Sequence, residues 1–406
     1  MAEFDQQRLD RIKPWMQRYI DDRKLPGASL LIAKNGGEVF FHATGRRDLA
    51  SDLPFERDTV ARIYSMTKPV TSVGLMMLVE EGLCHLDAPV STFLPEFADC
   101  KALVPGASDI DQTEPCPSPT LQQLLTHTSG LSYGFNPGLL PEAMEAQGVN
   151  FKPDGPSLQD TTRRLAELPL AFQPGARWEY SVGIDVIGRV IEAVADQPLS
   201  TFFAERILSP LGMTETAFSV PEEAVDRFAA LYTPLAGDPM QLDQGTGQGG
   251  DGLREVDRSK GSPFLDAKLY SGGGGLLGTI DDYLKFTEMM RQGGVYEKGR
   301  LLSRYTIDFM MQNHLAGDIA SMGPQSFAEQ PMKGMGFGIG GAVVLDAARA
   351  ATPGSPGDFS WGGMASTFFW IDRVHNLSVV FFTQLAPSSS YPLRSQLKAL
   401  VHGALT

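Results

Sequence analysis

The sequence predicts an α+β protein in which one antiparallel sheet is flanked by the terminal helices and interrupted by an inserted, mainly helical region. The first observation is a hairpin pattern, because "ASLLIAKNGGEVFFHATG" reads as two strands joined at Asn35-Gly36-Gly37. The second is a strand, turn and strand near the other end of the chain, in "STFFWIDRVHNLSVVFFTQL". The third is helical spacing of apolar residues through most of the chain between them. Since two strands do not form a stable sheet alone, we expect the two ends of the chain to meet.

Helical periodicity, capping residues and breakers then place the helices in order. The first helix is predicted over 5–23 and the last over 391–405. Further helices are predicted between them at 67–81, 121–125, 157–168, 183–196, 199–207 and 281–291. Segments rich in Gly, Pro and Asp predict long loops at 100–119, 237–263, 316–334 and 347–359.

The length and composition of the chain predict two adjoining regions. With 406 residues and 42% hydrophobic content, the chain can bury one large core or two that adjoin. We assign 1–60 and 265–406 to an α/β region that holds the sheet, and 61–264 to a mainly helical region. Pockets form at such a seam, so we expect the active site there.

Charge and cysteine content exclude several classes of function. The net charge is −14 and no basic run interrupts it, so neither nucleic acid nor an anionic membrane surface is an expected partner. The N-terminus lacks the apolar core of a signal peptide, and no apolar run is long enough to span a membrane, which predicts a soluble cytoplasmic protein. Metal-ligand spacing is absent, so we expect no metal. Reduced thiols are expected at Cys84, Cys100 and Cys116.

The stretch "IYSMTKPVTSVGLMMLVEEG" carries the strongest chemical signal. Ser65 and Lys68 are three residues apart, so they share one face if a helix begins near Ser65. Pro69 supports that start, because a residue without an N–H is tolerated only in the first helical turn. A serine hydroxyl becomes a good nucleophile only when a base takes its proton, and lysine can be that base only when it is neutral.

Other readings of the sequence are weaker. A second S-x-x-K copy, Ser395 to Lys398, is interpreted as a solvated helix face. The G-x-S-x-G pattern occurs once, around Ser132 in "GLSYG", but a predicted helix rather than the strand of a nucleophile elbow precedes it, and H-E-x-x-H is absent. The glycine run 272–275 lacks the residues of a phosphate-binding loop and is interpreted as a tight turn. His127 is interpreted as a structural histidine.

Three motifs in order resemble those of a known superfamily. "SMTK" at the helix start, "YSV" at 180–182 and "WGG" at 361–363 resemble the motifs of serine β-lactamases and penicillin-binding proteins. In detail the chain resembles the class C β-lactamase-like esterases, family VIII carboxylesterases, with supporting segments such as "LLTHTSGLSYGF" and "SGGGGLLGTIDDYLKF". The resemblance covers nearly the whole chain and implies the β-lactamase/transpeptidase-like fold.

The resemblance also implies roles for individual residues. Ser65 would be the nucleophile, Lys68 its base or proton relay, and Tyr180 a second acid/base group that serves the leaving group. The N–H groups of Ser65 and Met364 would form the oxyanion hole, because acyl transfer needs two donors on the developing oxyanion. The implied substrate-binding residues are Trp361, Gly362, Gly363, Tyr133 and Val182, and no cofactor is implied.

Two departures from the family pattern favour neutral substrates. Trp361 replaces the lysine of the Lys-Thr-Gly motif, and Val182 replaces the asparagine that ends the second motif. A site without that cation loses a charge-assisted hold on a carboxylate. The leading hypothesis is therefore a serine carboxylesterase that hydrolyses short-chain acyl esters through an acyl-Ser65 intermediate. The alternatives are β-lactamase or D-alanyl peptidase activity, acyl transfer to an alcohol, and a penicillin-recognising binding module. The pattern predicts no particular oligomeric state.

Overall fold

A computed structural model describes residues 3–236 and 252–406. Its main feature is an eight-stranded sheet in which every neighbouring pair is antiparallel. In spatial order the strands are Met335–Phe337, Ala342–Val344, Phe359–Gly362, Phe368–Asp372, Leu377–Thr383, Gly27–Lys34, Gly37–Asp48 and Leu53–Pro54. The strand from the N-terminal hairpin thus pairs with the last strand of the chain, with Leu31 opposite Val380. The predicted α+β class and the sheet built from both ends are confirmed.

The central strands are apolar on both faces because both faces are covered. Along the Gly27–Lys34 strand, Leu31 belongs to a large core that includes the inserted helices, while Leu30 and Ile32 belong to a second core on the opposite face. The last strand alternates in the same way, with Val380 in the first core and Phe381 in the second. Alternation is therefore visible in the structure although the sequence of these strands is almost continuously hydrophobic.

The terminal helices cover the second core. Trp15 and Leu397 both pack there, and the Trp15 indole N–H donates to Gln396 Oε1 at 2.7 Å. The predicted helix over 5–23 is two helices, Gln6–Leu9 and Ile12–Asp21. The final helix is Leu393–His402, shorter than predicted.

The inserted region supplies most of the remaining helices. The predicted helices at 121–125, 183–196 and 281–291 are found within one residue, and those at 67–81 and 157–168 within two. The helix predicted over 199–207 instead changes to a π-helical turn at Ala204–Leu208. The helices Leu139–Ala146, Arg304–Met310 and Ile319–Met322 were not expected from the sequence, and the last of them lies in the loop predicted at 316–334. Between the terminal helices, the described residues form the α-helices Thr67–Glu80, Leu121–Leu125, Leu139–Ala146, Leu158–Ala166, Gly183–Ala195, Leu199–Phe203, Ser209–Leu211, Ile280–Arg291, Arg304–Met310 and Ile319–Met322.

Short antiparallel pairs occupy several of the predicted loops. Lys101–Leu103 pairs with Thr113–Pro115, and Ser326–Phe327 pairs with Gln330–Pro331. Of the loop predicted at 237–263, residues 237–251 lie outside the described residues, and the rest contains a strand, Arg254–Asp257.

One interpretation of the sequence was wrong. Lys398, the end of the second S-x-x-K copy, is only 5% exposed, and its amine forms an ion pair with Asp358 at 3.3 Å. The helix face is therefore buried against the sheet and is not solvated. Within the described ranges, no helix is both long and apolar enough to cross a membrane.

Candidate active site

Ser65 lies at the mouth of the buried helix that begins at Thr67. A single 3₁₀ turn, Tyr64–Met66, leads directly into the α-helix Thr67–Glu80. Tyr64 adopts a left-handed conformation with φ 42°, which is uncommon for a bulky residue and turns the chain sharply just before the serine. The predicted helix start is therefore correct to within two residues, and Ser65 and Lys68 lie on one face.

The structure brings the three predicted catalytic side chains together. Lys68 Nζ is 3.1 Å from Ser65 Oγ. The Tyr180 hydroxyl, which comes from the turn before the Gly183–Ala195 helix, is 2.6 Å from the same oxygen. A lysine amine and a phenol hydroxyl thus both contact one serine hydroxyl, and each is within reach of a direct proton transfer.

Lys68 is completely buried, and its hydrogen-bond partners are all uncharged. Besides Ser65, its amine contacts the Gly273 carbonyl oxygen at 2.7 Å and the Tyr133 hydroxyl at 2.8 Å. The carbonyl can only accept, so one N–H is always committed to Gly273. The two hydroxyls can either accept or donate, so the same arrangement accommodates both an ammonium and a neutral amine.

A buried carboxyl group, that of Asp185, holds the glycine turn that contacts Lys68. Asp185, in the first turn of its helix, accepts hydrogen bonds from the Ser271 hydroxyl and from the Gly273 N–H at 3.0 Å. Burial raises the pKa of the Asp185 carboxyl, while the charge of Lys68 acts in the opposite direction. Asp185 therefore fixes the glycine turn whose carbonyl holds the lysine.

The glycine run 272–275 is a turn, as interpreted from the sequence, but it also contributes to the site. A Cβ at Gly273 would lie 2.2 Å from Asp185 Oδ2, so a side chain has no room there. Neither the Gly273 carbonyl nor Asp185 was expected in the site from the sequence. The available signals were the glycine run and an aspartate at a buried position of its helix, but only tertiary structure brings them together.

Tyr133 lines the cavity and also contacts the Lys68 amine through its hydroxyl. Burial raises the pKa of its phenol well above the usual value, and Tyr180 and Asp185 add to that increase. Tyr133 is therefore a neutral hydroxyl at neutral pH. Its ring stacks on Phe135, with ring centroids 4.7 Å apart, and forms one wall of the cavity.

His127 packs beside the site without touching Ser65. Its Nδ1 accepts a hydrogen bond from the Ser181 N–H at 3.2 Å, and its ring centroid is 4.8 Å from that of Tyr180. Burial lowers the pKa of its imidazole well below the usual value, and Lys68 lowers it further. A neutral, hydrogen-bonded ring fits the structural role interpreted from the sequence.

The strand Phe359–Gly362 forms the opposite edge of the site. A Cβ at Gly363 would lie 2.3 Å from the Ile63 carbonyl oxygen, and one at Gly362 would meet the Arg394 guanidinium at 2.1 Å. These glycines therefore permit close packing of protein against protein, and both also line the cavity, as expected of the substrate-binding residues that the resemblance implies. The Gly363 N–H donates to Thr367, so Met364 supplies the next N–H along the chain.

A cavity of about 710 Å³ opens over the three side chains. Every predicted site residue except the fully buried Lys68 lines it, namely Ser65, Tyr133, Tyr180, Val182, Trp361, Gly362, Gly363 and Met364. Its other apolar walls include Met144, Val149, Phe151, Leu269 and Phe327. Such a mostly apolar cavity with a few polar groups converging on one hydroxyl is typical of a small-molecule site.

A family model for beta-lactamase matches residues 12–403, which is nearly the whole chain. The protein belongs to the beta-lactamase family. Two relatives are similar along nearly their whole length. Protein Rv1367c of Mycobacterium tuberculosis is 34% identical, over 94% of this chain and 91% of the relative. Esterase EstB of Burkholderia gladioli is 32% identical, over 97% of this chain and 94% of the relative.

A solved structure gives the same assignment. The structure of EstCE1, described as a hydrolase with promiscuous acyltransferase activity, superposes with a TM-score of 0.80 at 32% identity, covering 98% of this chain and 99% of that one. The beta-lactamase/transpeptidase-like fold implied by the sequence motifs is therefore confirmed, as is the resemblance to the esterases of this family.

Proposed function

We propose that this beta-lactamase family member is a serine carboxylesterase that hydrolyses short-chain acyl esters through an acyl-Ser65 intermediate. The observation that carries the proposal is the position of the Ser65 hydroxyl, which lies between the Lys68 amine and the Tyr180 phenol. The similarity to EstB, which is named an esterase, supports an ester substrate. The similarity to EstCE1 supports hydrolysis on the same fold.

In the first half-reaction, Ser65 Oγ attacks the ester carbonyl carbon and its proton passes to the neutral Lys68 amine. The N–H groups of Ser65 and Met364 stabilise the developing oxyanion. When the tetrahedral intermediate collapses, the bond from carbon to the alcohol oxygen breaks. The Tyr180 hydroxyl gives its proton to the departing alkoxide, which leaves as an alcohol.

In the second half-reaction, a water molecule attacks the acyl carbon and gives one proton to the Tyr180 phenolate. The bond to Ser65 Oγ then breaks, and Lys68 returns the proton that it held to the serine oxygen. The products are the acid and the free enzyme, so both proton carriers return to their starting states. Lys68 Nζ lies 4.6 Å from the centre of the Tyr180 ring, and an ammonium there would stabilise the phenolate.

The walls of the cavity support neutral, apolar esters. Trp361 occupies the position of the motif lysine, and Val182 that of the motif asparagine, so neither offers a charge-assisted bond to a carboxylate. A second candidate function is acyl transfer to an alcohol, which uses the same first half-reaction. The description of EstCE1 as a hydrolase with promiscuous acyltransferase activity favours it over β-lactam hydrolysis.

The test uses a chromogenic butyrate ester and a chromogenic cephalosporin. We expect turnover of the ester, and we expect Ser65→Ala to abolish it. Ser395→Ala is the matched control, since it removes the serine of the other S-x-x-K copy. Ester turnover that persists in Ser65→Ala would overturn the proposal. Faster turnover of the cephalosporin than of the ester would favour β-lactamase activity instead.

We also propose that the chain divides into two regions, and that the protein is cytoplasmic. The strands of the main sheet lie within 1–60 and 265–406, whereas Ser65 and Tyr180 belong to the segment 61–264. That distribution supports an active site at the seam between the two regions. Limited proteolysis that releases 61–264 as one stable fragment would support the division. The predicted cytoplasmic location is tested by fractionating cells that express the chain.

A further inference from the structure

The hairpin 326–331 forms a wall of the cavity that the motifs of the family do not include. Phe327, at its tip, stacks on Trp361 with ring centroids 5.7 Å apart and an interplanar angle of 11°. The same ring contacts Tyr180 with centroids 4.8 Å apart. Ala328 makes the tight turn with φ 52°. One aromatic side chain of this hairpin therefore packs on both the catalytic phenol and the motif tryptophan.

A buried ion pair ties the hairpin to the C-terminal helix. Arg394 Nη1 lies 3.1 Å from Glu329 Oε2, and the two side chains are only 12% and 7% exposed. The Arg394 guanidinium also fills the space beside Gly362, where a Cβ would lie 2.1 Å away. Burial raises the pKa of the Glu329 carboxyl, and Arg394 opposes that increase. Because one partner alone would leave a buried charge uncompensated, the pair holds the hairpin against the strand Phe359–Gly362.

Phe327 and Tyr133 both line the cavity and both pack on Tyr180, with ring centroids 4.8 Å and 5.0 Å from that of Tyr180, but they have different further partners. Tyr133 and Phe135 form the wall on the side of Lys68, where the serine proton is received. Phe327 and Trp361 form the wall on the side of the strand that ends at Gly362. In the proposed reaction the Tyr180 hydroxyl gives its proton to the departing alcohol, so a group that packs on Tyr180 from this second side meets the alcohol portion of the ester.

We propose that Phe327 limits the size of the alcohol portion that the site accepts, and that Glu329 and Arg394 are positioning residues that hold Phe327 in place. The inference rests on the proposed function. It goes beyond the proposed function by assigning alcohol selectivity to a segment that does not belong to the three motifs. Arg394 has a carboxylate partner of its own, so it does not provide a free cation for an anionic substrate.

The test compares two series of esters. One keeps the butyrate acyl group and varies the alcohol from methyl to cyclohexyl, and the other keeps the methyl alcohol and varies the acyl group from acetate to octanoate. In Phe327→Ala we expect the ratio of kcat/KM for cyclohexyl over methyl butyrate to rise about tenfold, since a gain or loss of apolar volume in a pocket changes selectivity by that order. The order of preference in the acyl series should not change.

A kinetic readout separates selectivity from general damage. The alcohol leaves before water attacks, so all butyrate esters share one acyl-enzyme and one deacylation rate constant. We expect that rate constant to change by a much smaller factor in Phe327→Ala than the alcohol ratio does, because Phe327 also packs on Tyr180, which serves both half-reactions. A change in deacylation as large as the change in the alcohol ratio would overturn the inference, as would an unchanged alcohol ratio.

Variants of the ion pair test the positioning role. Glu329→Gln should raise the ratio of kcat/KM for cyclohexyl over methyl butyrate, as Phe327→Ala does. The double variant Glu329→Gln/Arg394→Gln should return this ratio toward the wild-type value, because no charge is then left unpaired. Glu81→Gln, which breaks an exposed pair with Arg206, is the control and should leave the ratio unchanged. If the Glu329→Gln ratio equals that of wild type, the positioning role is wrong.

The outcomes also distinguish this inference from the proposed function. A wild-type protein that does not turn over any ester overturns both. A wild-type esterase whose alcohol ratio is insensitive to Phe327→Ala and Glu329→Gln overturns only the selectivity inference. A shift confined to the acyl series would place Phe327 beside the acyl group and contradict its assignment to the alcohol portion.

Discussion

The two S-x-x-K copies of this chain end in lysines that are both buried, but their surroundings differ in one respect. Lys398 forms an ion pair with the Asp358 carboxylate, whereas Lys68 contacts two hydroxyls and a carbonyl. Desolvation disfavours a charged amine, and a carboxylate partner offsets that cost. The comparison indicates that the same four-residue pattern gives a stabilising ion pair in one place and a candidate base in the other, according to the partners that the fold provides.

The largest expected effect is the loss of activity when the lysine of the first S-x-x-K copy, Lys68, is replaced. Lys68→Met keeps the length of the side chain and removes the amine, so we expect kcat/KM for a butyrate ester to fall by about 10²–10⁴, the usual contribution of a general base. Tyr180→Phe should cost a similar factor, and the double variant should lose much less than the product of the two losses, because the two groups act on one hydroxyl. Steady-state kinetics of the three variants measure this. Full activity of Lys68→Met would remove the distinction between the two copies.

The next largest effect is a loss of stability when the lysine of the second S-x-x-K copy, Lys398, is replaced. Lys398→Met should leave ester turnover unchanged but lower the free energy of unfolding by about 3 kcal/mol, because the Asp358 carboxylate is left buried without its partner. Combining it with Asp358→Asn should recover part of that loss. Urea unfolding checks both variants. A Lys398→Met protein that unfolds like wild type but is inactive would reverse the roles assigned to the two lysines.

A smaller effect is expected from one neighbour of Lys68. Tyr133→Phe removes the hydroxyl that lies 2.8 Å from the amine while keeping the ring that lines the cavity. We expect kcat to fall about tenfold to a hundredfold, since a hydrogen bond to a charged group contributes about 1.5–3 kcal/mol, while KM changes little. A rise in KM with unchanged kcat would limit Tyr133 to substrate binding.

The smallest expected effect is a pH dependence of the free energy of unfolding. It comes from His127, which packs beside the active site. Burial lowers the pKa of His127 in the folded protein, so its contribution to stability is complete above the ordinary histidine pKa and is lost as the pH falls. From about pH 6.5 downward, the loss attributable to this residue should approach about 1.4 kcal/mol per pH unit. His127→Asn keeps an acceptor for the Ser181 N–H but does not titrate, so its free energy of unfolding should fall less steeply between pH 7 and pH 5. Equal slopes for the two proteins would contradict this.

Local sequence patterns predicted the elements whose signals are contained in a short segment. The Leu121–Leu125 helix has a capping box between Thr120 and Gln123, and it was placed to the residue. The Ser65 and Lys68 pair could be found because a helix start fixes side chains three residues apart. The sheet could be assembled because the hairpin strands at one end of the chain lacked partners nearby.

The features that were missed depend on residues distant in sequence. Lys68 meets the Gly273 carbonyl across 205 positions, and Ser271 meets Asp185 across 86. The second S-x-x-K copy was interpreted as a solvated helix face, whereas Lys398 pairs with Asp358, which lies 40 positions away in the sequence. Helix Leu139–Ala146 was not predicted either, and it packs Leu140 and Met144 into the core. Periodicity and spacing contain no information on such contacts.

The most direct test of the central claim is to find where the acyl group is held. The protein is mixed with a chromogenic butyrate ester, the reaction is quenched with acid during the first turnover, and the peptides are mapped by mass spectrometry. Our account predicts one butyryl group on Ser65 in the wild-type protein and in Lys398→Met, and none in Ser65→Ala. A butyryl group on Ser395, or ester turnover without acylation of Ser65, would contradict it.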